Sequence, residues 1–80
     1  MTPFNLSVVT PEAILFEGEV LAVVAPGDEG YFEVLAHHAP FLSTLKPGTL
    51  TLTEKNLAKK SFPVTSGILE TAENQVIVLL

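Results

Sequence analysis

The chain opens with a period of two. Phe4, Leu6 and Val8 are apolar while Asn5 and Ser7 are polar, an alternation that predicts a strand with one buried face. Thr10-Pro11 ends it, because Pro11 has no N–H to give to a ladder. Ala13 to Phe16 predicts a second short strand, and Glu17-Gly18-Glu19 a tight connection out of it. Val20 to Ala25 is apolar at every position, so this strand is expected to be central and covered on both faces. Pro26-Gly27-Asp28-Glu29-Gly30 carries the strongest loop signal. Tyr31 to Leu35 predicts a strand interrupted by Glu33, and His37-His38-Ala39-Pro40 a break. Phe41 to Leu45 runs on to Pro47-Gly48, a pair that suits a type II turn with Gly48 at positive φ.

Thr49-Leu50-Thr51-Leu52-Thr53 is the cleanest alternation, with Leu on one face and Thr on a wet one. Glu54-Lys55-Asn56 turns the chain. Lys60 to Thr65 returns as a strand, with Pro63 marking an edge or a bulge. Ser66-Gly67 is a bend, Ile68 to Thr71 a short strand and Glu73-Asn74 a hairpin turn. Gln75 to Leu80 is apolar nearly throughout. It reads as a buried last strand, or as one whose outward positions meet a partner. The best helical candidate, Glu54 to Lys60, is too short and carries Asn56 in its middle. The expected fold class is all-β: an antiparallel β-sandwich of eight to ten short strands, one unit over residues 1–80.

Composition sharpens this reading. Thr, Val and Ile make 20 of the 80 residues, and branched side chains fit a pleated sheet better than a helix. Apolar residues reach 48% and charged ones only 16%, too hydrophobic for a disordered chain. The net charge is −5, with four Lys and no Arg. A nucleic-acid binder needs a basic footprint, so no nucleic-acid partner is expected. Without Cys there is neither a disulfide framework nor a thiolate metal site. The longest apolar run is far below the ~20 residues of a membrane helix, and Met-Thr-Pro-Phe-Asn does not look like a leader.

Candidate chemistry is sparse. His37 and His38 are adjacent, and neighbours on a strand point to opposite faces, so the pair is poorly placed to chelate one metal. A cupin-like metal enzyme would need further ligands, with Glu33 the nearest guess. Ser7, Ser43, Ser61 and Ser66 lie in ordinary strand or turn contexts, none within G-x-S-x-G. Gly27-Asp28-Glu29-Gly30 has spaced glycines, but its two carboxylates would repel a phosphate. Asp28 and Glu29 read as a solvated turn or as a paired acid and base. No motif argues for catalysis or for a bound cofactor.

Three segments in register carry a family resemblance. Ser7-Val8-Val9-Thr10-Pro11-Glu12, followed by Leu15-Phe16-Glu17-Gly18-Glu19-Val20, is similar to the opening of the ε subunit of F-type ATP synthases. His38-Ala39-Pro40-Phe41-Leu42, then Leu45-Lys46-Pro47-Gly48, resembles the family's G-H-A-P-L-L…K-P-G. Ser66-Gly67-Ile68-Leu69-Glu70, then Asn74-Gln75-Val76-Ile77-Val78-Leu79, resembles S-G-G-I-L-E…N-x-V-T-V-L.

The resemblance implies a non-catalytic rotor subunit at the foot of the central stalk, built as a ten-stranded β-sandwich. It would join the γ subunit to the membrane ring of c subunits and help couple ion translocation to ATP synthesis. Its place would be peripheral, on the cytoplasmic face of a bacterial inner membrane. Thr10, His38, Ala39, Pro40 and Ser43 match the γ-facing region; a core-packing loop is the other reading of that segment. Asp28, Glu29, Gly30 and Tyr31 match the region facing the c-ring. There the carboxylates would meet basic groups and Tyr31 would anchor. His37 stands where the family often has Gly, and nothing in the 80 residues matches the family's C-terminal helical hairpin. A β-sandwich binding module with an unrelated partner is the competing reading.

Overall fold

In the computed structural model, which describes residues 2–80, the chain is all-β. Met1, part of the stretch read for a leader, lies outside the described residues. The strands are β1 (Phe4–Val9), β2 (Ile14–Gly27), β3 (Gly30–Val34), β4 (Phe41–Leu45), β5 (Gly48–Glu54), β6 (Lys59–Val64), β7 (Gly67–Ala72) and β8 (Gln75–Leu79). Every pairing is antiparallel except β1 with β8, which run parallel. Eight strands meet the lower bound of the expectation, and the parallel pair adds a mixed element to the sandwich.

The strands expected at 13–16 and 20–25 are one strand of 14 residues. Glu17-Gly18-Glu19 is no turn: these residues pair with Ser7, Leu6 and Asn5 of β1. Gly and two carboxylates resemble punctuation, but here both Glu side chains are exposed and the glycine is an ordinary ladder residue. The long strand organises the fold. One edge meets β1 over residues 14–20 and β3 over 23–27, and the other meets β5 over 20–24 and touches β4 at Gly27. A bulge between Val20 and Ala22 shifts the register against β5, and such an extra residue bends a strand. Of the run Val20 to Ala25, expected to be covered on both faces, all are buried except Val24, which is half-buried.

Fourteen buried side chains form the core, and every strand supplies at least one. Leu50 and Leu52 point inward, while Thr49 is exposed and Thr51 and Thr53 half-buried, as their alternation predicted. Pro63 lies on β6, which pairs only with β5 and is a sheet edge. There a missing N–H breaks no ladder bond that a central strand would need. Glu73 and Asn74 form the expected two-residue turn, with φ of 51° and 60°; left-handed geometry at both positions matches the strand twist.

Two further expectations need correction. Pro47-Gly48 is not a type II turn with Gly48 at positive φ, and it joins β4 to β5 although the two do not pair with each other. Among the described glycines only Gly30 has positive φ, at 128°. Gly48 starts β5 opposite Val64, and a Cβ there would sit 2.6 Å from the Tyr31 hydroxyl and 2.7 Å from Pro26 Cβ. Close approach, not backbone sign, requires the glycine. The last strand is also not buried on both faces. Val76 and Val78 enter the core, but Ile77 and Leu79 are 38% and 50% exposed. Pairing sets Ile14, Val9, Leu79 and Ile68 in one row across β2, β1, β8 and β7, so an apolar stripe faces outward there.

Candidate interaction surface

The segment between β3 and β4 lacks ladder partners, so side chains hold it. His37 takes a left-handed φ of 61°, which for a residue with a Cβ costs roughly 1–2 kcal/mol. Its N–H donates to Asn74 Oδ1 at 2.7 Å. Thr71 Oγ1, on β7, donates to the Ala39 carbonyl at 2.9 Å. His38 Nδ1 lies 2.8 Å from that same carbonyl, and its ring packs beside Phe41, with centroids 5.6 Å apart. His37 and His38 thus sit in a turn rather than on a strand, exposed together with Ala39 and Pro40. A loop buried in the core, the alternative for this segment, is not what these four residues form. Among the described residues no three His, Asp or Glu side chains converge as metal ligands would.

Phe41 continues the surface. Its ring meets Phe32 edge to face at 5.3 Å, a favoured aromatic geometry. Both rings line an open groove of about 520 Å³ with Gly27 to Tyr31 on one side and Leu42 to Thr44 on the other. The groove lies at the end of β2, where Gly27 pairs with Gly30 of β3 on one edge and with Leu45 of β4 on the other. Asp28 and Glu29 form its exposed tip. Asp28 accepts a hydrogen bond from Thr44, and among the described residues neither carboxylate has a lysine partner. The paired lysines, Lys55 with Glu19 and Lys60 with Glu54, belong to the β5–β6 side. Tyr31 is 59% exposed, but its hydroxyl accepts the Thr49 N–H at 3.0 Å. Its ring is therefore pinned in place, and an anchor that loses no freedom on docking is worth more.

The expected site residues thus fall unevenly. His38, Ala39 and Pro40 form one exposed turn, and the Phe41–Phe32 contact joins it to the groove that contains Asp28, Glu29, Gly30 and Tyr31. Ser43 lines that groove as well, and its hydroxyl donates to the Thr44 carbonyl at 2.9 Å. The two patches read separately from the sequence are parts of one surface. Thr10 does not join it. It follows the last residue of β1, whereas His37 bonds to Asn74, whose own amide reaches Pro3 before β1 begins. The strand separates them by roughly 20 Å at ~3.3 Å per residue. Thr10 closes its own turn, its hydroxyl accepting the N–H groups of Glu12 and Ala13 at 3.3 and 3.0 Å. Phe32, Thr71 and Asn74 were missed. Phe32 and Thr71 read only as strand residues and Asn74 as a turn residue, and their contacts all cross strands.

Known proteins place this architecture. The chain resembles a chain in an assembly of the Euglena gracilis mitochondrial ATP synthase with a TM-score of 0.92, covering 99% of this chain and 51% of that one at 20% identity. An ATP synthase epsilon chain of Chlorobium limicola is 40% identical over 76 residues, covering 95% of this chain and 86% of the relative. An ATP synthase epsilon chain of Moorella thermoacetica is 38% identical over 79 residues, which are 99% of this chain but only 59% of the relative. A binding module of unrelated ancestry finds no support in this. Residues 3–80 match the family described as the ATP synthase Delta/Epsilon chain, beta-sandwich domain, and the chain belongs to that family.

Proposed function

We propose that this domain is a non-catalytic central-stalk subunit of a rotary ATP synthase, docking on the γ subunit and on the ring of c subunits. The observation that carries the reading is 40% identity to a relative named ATP synthase epsilon chain of which 86% is covered. The surface chemistry suits a mechanical link. An exposed turn stiffened by Pro40 borders an acidic groove floored by aromatic rings. His38, Ala39 and Pro40 offer γ a pre-shaped rim. Asp28 and Glu29 offer unpaired carboxylates to basic groups on polar loops of the ring, which favours encounter and register more than raw affinity. Among the described residues Ser7 gives its hydrogen to the Glu17 carboxylate at 3.4 Å, Ser43 to a backbone carbonyl, and Ser61 lies opposite Thr51, so no serine hydroxyl is bonded to a histidine. Torque would pass through a sandwich that deforms little, since its strands meet in one packed core.

Among the described residues no helix is long and apolar enough to cross a membrane. The domain would reach the membrane through its complex, peripherally, at the cytoplasmic face of a bacterial inner membrane. The test is capture of the purified γ subunit by the immobilised 80-residue domain, followed by reconstitution into enzyme depleted of its ε subunit. Stoichiometric γ capture and restored proton pumping are expected. A domain that folds yet captures no γ sinks the reading.

A further inference from the structure

We infer that Asn74 and Thr71 are positioning residues for the docking rim: the β7–β8 hairpin clamps the His37–Pro40 turn from two sides and holds His38 ready for its partner. This inference rests on the proposed γ contact. The turn has no strand pairing of its own, since β3 ends at Val34 and β4 begins at Phe41. Two of its backbone polar groups are instead met by side chains more than 30 residues away. Asn74 Oδ1 takes the His37 N–H at 2.7 Å, and Thr71 Oγ1 gives its hydrogen to Ala39 O at 2.9 Å. Thr71 is the one buried polar side chain among the described residues, 3% exposed, so its bond forms where water competes little.

Asn74 does more than cap its own turn. While Oδ1 holds His37, its Nδ2 donates to the Pro3 carbonyl at 3.4 Å and its carbonyl accepts the Asn5 N–H at 3.4 Å. One residue thus ties the rim to the start of β1. The bond also offsets the left-handed backbone of His37. Without an acceptor at this position the turn would sample other conformations, and a partner would bind only the fraction that matches. Apparent affinity falls by that fraction.

Glycine and aspartate at position 74 separate the side chain from the backbone. Both tolerate φ near 60°. Asn74→Gly removes the acceptor for His37 together with the Nδ2 donor to Pro3, whereas Asn74→Asp keeps the acceptor and loses only that donor. In Asn74→Gly, NMR order parameters at His37 to Ala39 are expected to drop from about 0.85 to below about 0.6, while the strands stay rigid. Affinity for γ is expected to fall roughly two- to tenfold, the effect of a single hydrogen bond. Asn74→Asp should restore both readouts, which a role confined to turn stability would not produce. Thr71→Val, which preserves shape, provides the second probe and should loosen Ala39 in the same way. Rim residues as ordered in Asn74→Gly and Thr71→Val as in the unaltered domain would overturn the inference. So would looser rims with undiminished γ binding. An unaltered domain that binds no γ, with rims that loosen as expected, would overturn the docking reading and leave the clamp standing.

Discussion

Two residues show how a side chain and a backbone angle are matched or mismatched locally. Gly48 is required by packing: the space a Cβ would fill is held by the Tyr31 hydroxyl and Pro26. Gly48→Ala and Gly48→Asn are therefore both expected to destabilise the domain by about 1–3 kcal/mol, as overpacking does. Asparagine tolerates positive φ, so an Asn variant with unchanged denaturant midpoint would mean that backbone sign was the constraint after all. Leu57 is the converse case. It is 69% exposed and holds φ at 71°, with its N–H bonded to the Glu54 carbonyl at 2.8 Å. A leucine gains little burial there to offset a strained backbone. Leu57→Asn should raise stability by about 1 kcal/mol, read as a higher midpoint in chemical denaturation with an unchanged slope.

At the scale of elements, β2 decides the architecture. A sandwich made of separate short strands would need a turn at Glu17-Gly18-Glu19; a strand that serves both layers needs none. Gly18 pairs with Leu6 without positive φ, and a Cβ there would meet only the Phe16 ring, at 3.6 Å. Gly18→Ala is thus expected to stabilise by about 0.4–1 kcal/mol, because alanine loses less unfolded-state entropy. A clear loss of stability in thermal unfolding would argue that the chain turns at this point. The edges of the sheet are guarded differently. β6 carries Pro63, Lys59 and Lys60 along its length, devices that discourage pairing with another chain. The Lys55–Glu19 bridge at 2.9 Å links the β5–β6 turn to β2, but with both groups about half exposed it contributes little.

At the scale of the whole molecule, the groups proposed for docking lie along one side. His38, the aromatic pair Phe32 and Phe41, and the acidic groove form a continuous surface. Asp28→Lys with Glu29→Lys reverses the groove tip while leaving the clamp of Asn74 and Thr71 untouched. Proton pumping in reconstituted enzyme should fall, because like charges would then face the ring. Binding to isolated γ should change less than about threefold, a shift of well under 1 kcal/mol. Thr44→Val serves as the control: it removes the bond to Asp28 without reversing charge, and pumping should survive it. If the lysine pair abolishes γ binding and spares pumping, the two ends of the surface have exchanged roles. The apolar row of Ile14, Val9, Leu79 and Ile68 lies elsewhere, on the outer face of the β1–β8 layer.

Much of the fold was legible along the chain because it depends on near neighbours. Alternation at Phe4-Leu6-Val8 and at Leu50-Leu52 fixes which face is buried, and side chains in a strand repeat every two residues whatever the strand pairs with. Glu73-Asn74 announces its turn through Asn74, because asparagine tolerates the left-handed angle required there. What spans the molecule was not legible. The continuity of β2, the parallel β1–β8 pair and the crossing at Pro47-Gly48 depend on which strand lies beside which. Ile77 and Leu79 share the hydrophobicity of Val76 and Val78, and only the position of β8 in its layer leaves one pair exposed. For the candidate surface, the family resemblance set Thr10 near His38 and gave Asp28 to a separate patch. One strand length puts Thr10 at the far end, and contacts 16 and 32 residues apart in sequence join Thr44 to Asp28 and Thr71 to Ala39. Local periodicity carries no information at those separations, because it is the packing of distant strands around a common core that brings such residues together.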